Sequence, residues 1–276
     1  MKTLSDIKCN LCGGVKLRII EKTSTLYNVV KCRNCGLVFV YPLPPNDWLR
    51  KHYNKDYYSE WISIQTKQRI SLWKKRINEL KTMASGQKLL DVGCGEGLFL
   101  FLAQKEGFNV TGTEISEYAC LYAKEKFGLE IFNRNLVEAN FKEKSFDIIT
   151  MWHVLEHLTD PFETLKEIQR IIAPDGLLVI AVPNLHNYLN RLLYLLVKGR
   201  KLSLFSLTNK ELHLYHFSEK TIRYILDKSG FIVVRICPDL GQVEFNKKIL
   251  DYFSLPVYFL TGFNTSCGIK IFARLK

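Results

Sequence analysis

The sequence predicts an α/β protein in which a mostly parallel, seven-stranded sheet carries helices on both faces and follows a small cysteine-bearing unit. Three observations carry that prediction. Between residues 86 and 184, apolar runs alternate with helical segments, and the runs ("KLLDVG", "FDIITMWH", "LLVIAVPN") lack the polar alternation of a strand wetted on one side. A turn with three glycines, Gly93, Gly95 and Gly97, joins the first run to the first helical segment. Two CxxCG turns, Cys9 with Cys12 and Cys32 with Cys35, lie nineteen residues apart near the start of the chain.

The elements follow in chain order. Residues 1–45 are expected to form the β-rich unit, with strands in "KLRIIEK" and "LVFVYP" after each CxxCG turn and "PLPPND" closing it. Residues 46–85 are expected to be a helical cap, because Trp61, Ile62, Ile70, Trp73, Ile77 and Leu80 recur at near-helical spacing until "ASGQK" breaks the pattern. Residues 86–276 form the main domain. Its strands are read at "KLLDVG", "NVTGTEI", "LEIFNRN", "FDIITMWH" and "LLVIAVPN", with helices at "LFLFLAQKEG", "SEYACLYAKEKFG" and "PFETLKEIQRIIAPDG" between them. Residues 185–216 interrupt the rhythm. They are read as a lid insertion over the acceptor site, whose apolar helix is buried rather than laid on a membrane. Ser218 is placed to N-cap the helix "EKTIRYILDKSG". The strand "FIVVRI", a connection at "PVYFLTGF" and a last strand at "GIKIFARLK" complete the domain.

Composition limits the function classes. With 276 residues, 47% of them hydrophobic, the chain supports one large domain with a small attachment. No run of about 18 apolar residues predicts a transmembrane helix. The start, "MKTLSDIKCN", lacks the apolar stretch of a secretory signal. Four cysteines lie in CxxC pairs and four (Cys94, Cys120, Cys237, Cys267) are scattered, which reads as metal plus free thiols in a reducing cytoplasm. The net charge is +12, unevenly spread: residues 1–85 carry 16 basic against 6 acidic side chains, residues 86–184 carry 9 against 15, and residues 185–276 carry 14 against 6. Basic flanks favour an anionic small molecule, RNA or a lipid surface.

The cysteine turns specify a metal. Four thiolates in two CxxC turns suit tetrahedral Zn²⁺, and a site closed by Cys9, Cys12, Cys32 and Cys35 leaves no ligand position for water, so the metal is structural. About 40 residues have too small a core to fold without such a staple.

The glycine turn specifies a nucleotide. Asp91-Val92-Gly93-Cys94-Gly95-Glu96-Gly97 has GxGxG spacing rather than GxGxxG, and its two carboxylates would repel a pyrophosphate. They suit a ligand with an ammonium and a sugar but no phosphate. Glu114, 23 positions after Asp91, falls where an acidic side chain grips ribose hydroxyls. Together these residues resemble the class I S-adenosylmethionine (SAM)-dependent methyltransferases, strongly over residues 86–184 and on to the C-terminal strand pair. The resemblance implies a Rossmann-like sheet and SAM as cofactor. It also implies that Asp91, Gly93, Cys94 and Gly95 shape the methionine pocket, that Glu114 holds the ribose, that Ile115 packs on the adenine, and that Asn135 and Leu136 close over it. The family often has Asp at the position of Asn135.

The segment "HVLEH" follows the fourth strand at the carboxyl edge of the sheet, where open α/β folds place their ligands. On a helix, His153 and His157 would share one face. A zinc-peptidase HxxEH site is rejected, since that motif needs its own helical scaffold and a distant third ligand. Methyl transfer needs a positioned nucleophile and a group to take its proton, a role suited to His157 oriented by Glu156. In the methyltransferases of ubiquinone biosynthesis, a similar segment carries Glu, Glu and His and is linked to a divalent cation; here His153 holds the first position.

A ribbon before a SAM domain resembles both the sugar methyltransferases of deoxysugar and surface-polysaccharide pathways and certain rRNA guanine methyltransferases. "HYNKDYYSEW", with Tyr53, Tyr57 and Tyr58, matches the tyrosine-rich segment of the sugar group. That resemblance implies O-methylation of a sugar hydroxyl, on an anionic or nucleotide-linked acceptor, with Tyr58 as a further catalytic residue. His153, Asn184, His213 and His216 are expected to border the acceptor. RNA, quinone or lipid acceptors, peripheral membrane contact, and a non-catalytic SAM-binding interaction protein are the alternatives.

Overall fold

Leu89, Leu90, Ile148, Ile149, Leu178 and Val179 are all fully buried, as strands covered on both faces require. They belong to the larger of two sheets in the computed structural model, which describes residues 7–23, 26–63, 66–241 and 245–276. The segment 1–6, two residues of the expected β-rich unit (24 and 25) and two of the expected cap helix (64 and 65) lie outside the described residues.

The first sheet contains β1 (Leu17–Lys22), β2 (Asn28–Cys32) and β3 (Val38–Tyr41), all antiparallel. Its fourth strand comes from far along the chain: β8 (Tyr215–His216) pairs with β3, Val38 opposite His216. The cysteine unit is therefore stitched to the segment that follows the insertion. Helices α1 (Asn46–His52), α2 (Lys55–Ser63) and α3 (Thr66–Met83) form the cap. Ile77 and Leu80 of α3 are completely buried against the main sheet, the inward face that their spacing predicts.

The main sheet is built from β4 (Lys88–Val92), β5 (Asn109–Thr113), β6 (Phe146–Trp152), β7 (Ile172–Pro183), β9 (Phe231–Asp239) and β10 (Gly268–Leu275), in the order β5-β4-β6-β7-β10-β9. The four strands β5, β4, β6 and β7 are parallel, and β10 runs antiparallel to both neighbours. Helices α4 (Leu98–Lys105), α5 (Glu117–Phe127), α6 (Pro161–Ile171) and α8 (Glu219–Lys228) connect them. Caps sit where polar residues precede apolar ones: Ser116, Asp160 and Ser218 each accept a backbone N–H from their own helix.

The sheet has six strands among the described residues rather than seven. The expected third strand makes a single bridge, Phe132 with Thr113, because Asn133 then turns its amide onto the Glu114 carbonyl at 3.0 Å and leaves the edge. "HVLEH" is not an α-helix. His153 sits at φ +57°, and Leu155–His157 form one 3₁₀ turn. The insertion contains α7 (Tyr188–Lys198), which has no buried residue and so is not the buried lid helix expected. "PVYFLTGF" is not a simple connection: most of it belongs to α9 (Phe245–Thr261), whose Pro256 removes one ladder donor without ending the helix.

Candidate active site

The glycine turn leaves β4 with φ values of +68° at Gly93, +56° at Gly95 and +83° at Gly97, all in the left-handed region. Gly93 also has no room for a side chain, since a Cβ there would lie 2.7 Å from Val154 Cγ2. The turn is clamped to β5: the N–H groups of Gly93 and Cys94 donate to the Thr113 carbonyl at 2.8 and 3.0 Å. Glu114 completes the clamp. Its Oε2 accepts from Gly95 N–H at 3.0 Å and its Oε1 from Ser116 N–H at 2.8 Å. Burial raises the Glu114 carboxyl, against the lowering effect of those backbone donors.

Asp91 lies beneath the turn, where Thr150 donates to its Oδ1 at 2.6 Å. Burial pushes its carboxyl up to about 8, opposed by Thr150 and Arg76 and reinforced by Glu114 and Glu96. Cys94 is buried, and burial also raises its thiol. Arg69 pairs with Glu96. Three carboxyls around a bare backbone cradle suit a ligand that brings an ammonium or sulfonium and ribose hydroxyls, so the donor set fits SAM. Leu136 is buried and Ile115 half-buried nearby in sequence, while the side-chain Oδ1 of Asn135 accepts from Glu138 N–H at 2.8 Å.

A second cluster forms where β6 ends. His157 Nδ1 donates to the Leu212 carbonyl at 2.9 Å, so in the neutral ring Nε2 carries the lone pair. That nitrogen faces Glu211 Oε2 at 3.5 Å and Glu156 Oε1 at 3.9 Å. Glu156 is fully buried, and neither carboxylate oxygen has a well-aligned donor among the described residues. Glu156, His157 and His213 offer ligand atoms within 4.8 Å of one another, a set that fits a cation. His153 lies between Glu156 (3.4 Å) and Asp239 (3.3 Å). Burial alone would lower its pKa, but the two carboxylates outweigh that and push it up to about 9. His153 is thus a cation at neutral pH. Asp239 in turn pairs with Arg76, whose guanidinium stacks on Trp152 and Trp73 at 4.2 and 4.9 Å.

Rings connect the two clusters. Tyr58 hydrogen-bonds Glu114 and packs against Tyr57 at 5.0 Å. Tyr57 meets Tyr53 at 5.0 Å, and Tyr53 meets His157 at 6.1 Å. Tyr58 therefore stands with the glycine turn and not beside Glu156 and His157, and burial raises its phenol well above the ordinary value. One expected acceptor contact, Asn184, is spent elsewhere, and another, His216, is buried behind His213, 6.3 Å ring to ring. Asn184 uses both amide hydrogens on the carbonyls of Asn264 (2.9 Å) and Ser266 (3.1 Å), and accepts from His186 N–H at 2.9 Å. His216 is buried in the β3–β8 pair, and burial drops its pKa to about 3. His213 does reach the site, 5.0 Å ring to ring from His157. Sequence reasoning missed Tyr53 and Glu211 as site residues. The tyrosine-rich segment signals the first; the second lies two residues before His213 with no motif of its own.

Residues 65–236 match the Methyltransferase domain family. The chain belongs to that family. It carries a SAM-dependent methyltransferase domain on a Rossmann-like sheet, as the glycine turn and Glu114 predict. Among curated relatives, the ubiquinone biosynthesis O-methyltransferase of Caulobacter sp. (strain K31) is 35% identical over 111 residues, 38% of this chain and 44% of the relative. The demethylmenaquinone methyltransferase of Bacillus cytotoxicus is 32% identical over 130 residues, 44% of this chain and 55% of the relative. The chain thus spans about half the length of the curated relatives it matches. Among solved structures, the magnesium protoporphyrin IX methyltransferase of Synechocystis PCC 6803 with bound SAH superposes with a TM-score of 0.56 at 17% identity, covering 83% of this chain and 99% of that one. A SAM-dependent methyltransferase from Mesorhizobium loti gives 0.51 at 17% identity, covering 74% and 97%. These two likenesses establish the fold.

Proposed function

We propose that this methyltransferase transfers the SAM methyl group to a hydroxyl of a small-molecule acceptor, and that His157 takes the proton. One observation carries this reading: the Leu212 carbonyl holds His157 in the tautomer that points a lone pair at Nε2, with Glu211 and Glu156 ready to stabilise the imidazolium. SAM supplies an activated methyl group on sulfur. As the acceptor oxygen takes that methyl group, His157 Nε2 would accept the hydroxyl proton, and Glu211 and Glu156 would stand beside the resulting positive charge. Asp91, Gly93, Gly95 and Glu114 would seat the cofactor. The ring series Tyr58, Tyr57 and Tyr53 would exclude water and provide an aromatic wall.

That wall favours a planar phenolic acceptor, in keeping with the quinone-pathway names of the curated relatives. The sugar hydroxyl expected from the ribbon and the tyrosine segment is the second acceptor class. A second catalytic reading has its own support. The gathering of the buried Glu156 carboxylate with His157 and His213, their ligand atoms within 4.8 Å of one another, favours a divalent cation, which would acidify a bound hydroxyl.

The four ribbon cysteines are proposed to hold Zn²⁺. Their sulfurs lie within 4.8 Å of one another, with Cys9–Cys35 and Cys12–Cys32 at 3.6 Å, close to the ~3.8 Å edge of a tetrahedron with zinc–sulfur bonds of about 2.3 Å.

The deciding experiment is a SAM turnover assay over hydroxylated aromatics and nucleotide sugars, with and without Mg²⁺. Turnover lost in His157→Gln with SAM affinity intact supports the base. Turnover of His157→Gln equal to wild type overturns it. Dependence of the wild type on Mg²⁺ favours the cation reading.

A further inference from the structure

Two helices far apart in the chain meet at the carboxyl edge of the main sheet and turn apolar side chains to solvent. Eight of the eleven residues of α7 are Leu, Val or Tyr, yet none is buried. Leu196 and Val197 are 72% and 70% exposed, and on α9 Phe259 and Leu260 are 79% and 85% exposed. Ordinary proteins leave such residues singly on the surface, not gathered on adjoining helices. The two helices form one surface. Asn184 ties the tip of β7 to the loop that precedes β10, and the rings of His186 and Tyr188 stack with Phe263 at 6.3 and 6.1 Å.

The charges around this surface are ordered. Between residues 249 and 263 the chain has one Asp, Glu, Lys or Arg, and that residue, Asp251, is buried with Oδ1 accepting from Cys267 N–H at 2.7 Å. On α7, Arg191 bends back to Asn187 Oδ1 at 3.1 Å. The exposed apolar face therefore runs uninterrupted until Lys198, Arg200 and Lys201, all exposed at its end. Among the described residues no helix is long and apolar enough to cross a membrane. An apolar face with a basic border and no spanning capacity is the composition of an interfacial helix pair.

We infer that α7 and α9 together form a docking surface for an anionic lipid bilayer, with the apolar side chains entering the interface and the Lys198–Lys201 stretch meeting the headgroups. Charge complementarity selects this occupant over a second copy of the chain. Neither residues 188–201 nor residues 249–263 offer an exposed carboxylate that a second copy's basic stretch could meet, whereas anionic headgroups supply that charge. The surface is independent of which hydroxyl is methylated, so its failure would leave the catalytic reading standing.

The test is flotation of the full chain with vesicles of phosphatidylcholine alone and of equal parts phosphatidylcholine and phosphatidylglycerol, at low and high salt. The expected result is binding to the mixed vesicles that weakens with salt. The variant Leu196→Glu/Phe259→Glu, checked for fold by unchanged SAM affinity, should lose binding by more than about tenfold. A second variant, Lys198→Ala/Arg200→Ala/Lys201→Ala, should lose the preference for phosphatidylglycerol. Failure to float with either vesicle overturns the inference, as does binding unaltered by Leu196→Glu/Phe259→Glu. A wild-type dimer that this variant makes monomeric, with no vesicle binding, overturns it in favour of a second copy.

Discussion

His153 and His157 lie four positions apart and have opposite chemistry. His153 is held as a cation between two carboxylates, whereas His157 offers a lone pair whose direction the Leu212 carbonyl sets. Replacing His157 with Gln should therefore lower kcat by about 10²–10³ while SAM affinity is unchanged, the size of effect typical of a lost general base; single-turnover kinetics with isothermal titration measures both. Asp91 gives a second prediction. Its carboxyl has an ordinary value of 3.8 and about 8 in the folded chain. The unfolded chain ionises first, so this group's stabilisation is full below 3.8, declines as pH rises and is gone by about 8. Urea melts of the cofactor-free protein should show that decline between pH 5 and 8, and Asp91→Asn should flatten it. The placement of Asp91, Glu114 and His157 at the carboxyl edge of the sheet was legible because motif and strand position lie together in the sequence. Glu211 and Asp239 were not, because packing brings them to the site from segments with no local pattern of their own; Tyr53 belongs to a visible tyrosine-rich segment, but only packing sets it against His157.

At the scale of elements, the glycine turn and the ribbon have different tolerances. Gly93 needs both positive φ and the space that Val154 fills, so Gly93→Ala should cost about 1–3 kcal/mol in denaturant melts and weaken SAM binding in titrations. The ribbon depends on its sulfurs. Elemental analysis should find one Zn²⁺ per chain at this site in wild type and none in Cys32→Ser/Cys35→Ser, with a fall in melting temperature. Alternating strands and helices read correctly from the sequence because burial on both sheet faces leaves continuous apolar runs. The third strand misread for a local reason: "LEIFNRN" has the apolar start of a strand, but its polar end follows Glu114 instead of the sheet edge. Apolar content likewise predicted α7 to be buried, since hydropathy records what a helix avoids and not what covers it.

For the molecule as a whole, the N-terminal unit is not a detachable appendage. Val29, Val30 and Phe39 share a continuous core with Tyr215, Phe217 and Ile180. A chain lacking residues 1–45 should therefore aggregate on expression rather than yield a working domain, which solubility and size-exclusion measurements would show. The pairing of β3 with β8 has a wider consequence. Val40 N–H donates to the Leu214 carbonyl at 2.8 Å, and Leu214 N–H donates to the Glu156 carbonyl at 2.8 Å. Leu212, two residues earlier, aims His157. A lesion among the cysteines would thus travel along a few backbone links to His157. In steady-state kinetics a defective ribbon would look like a poisoned catalyst: turnover would collapse while both reactants still bound, though the four cysteines form a group apart from Glu156, His157 and His213.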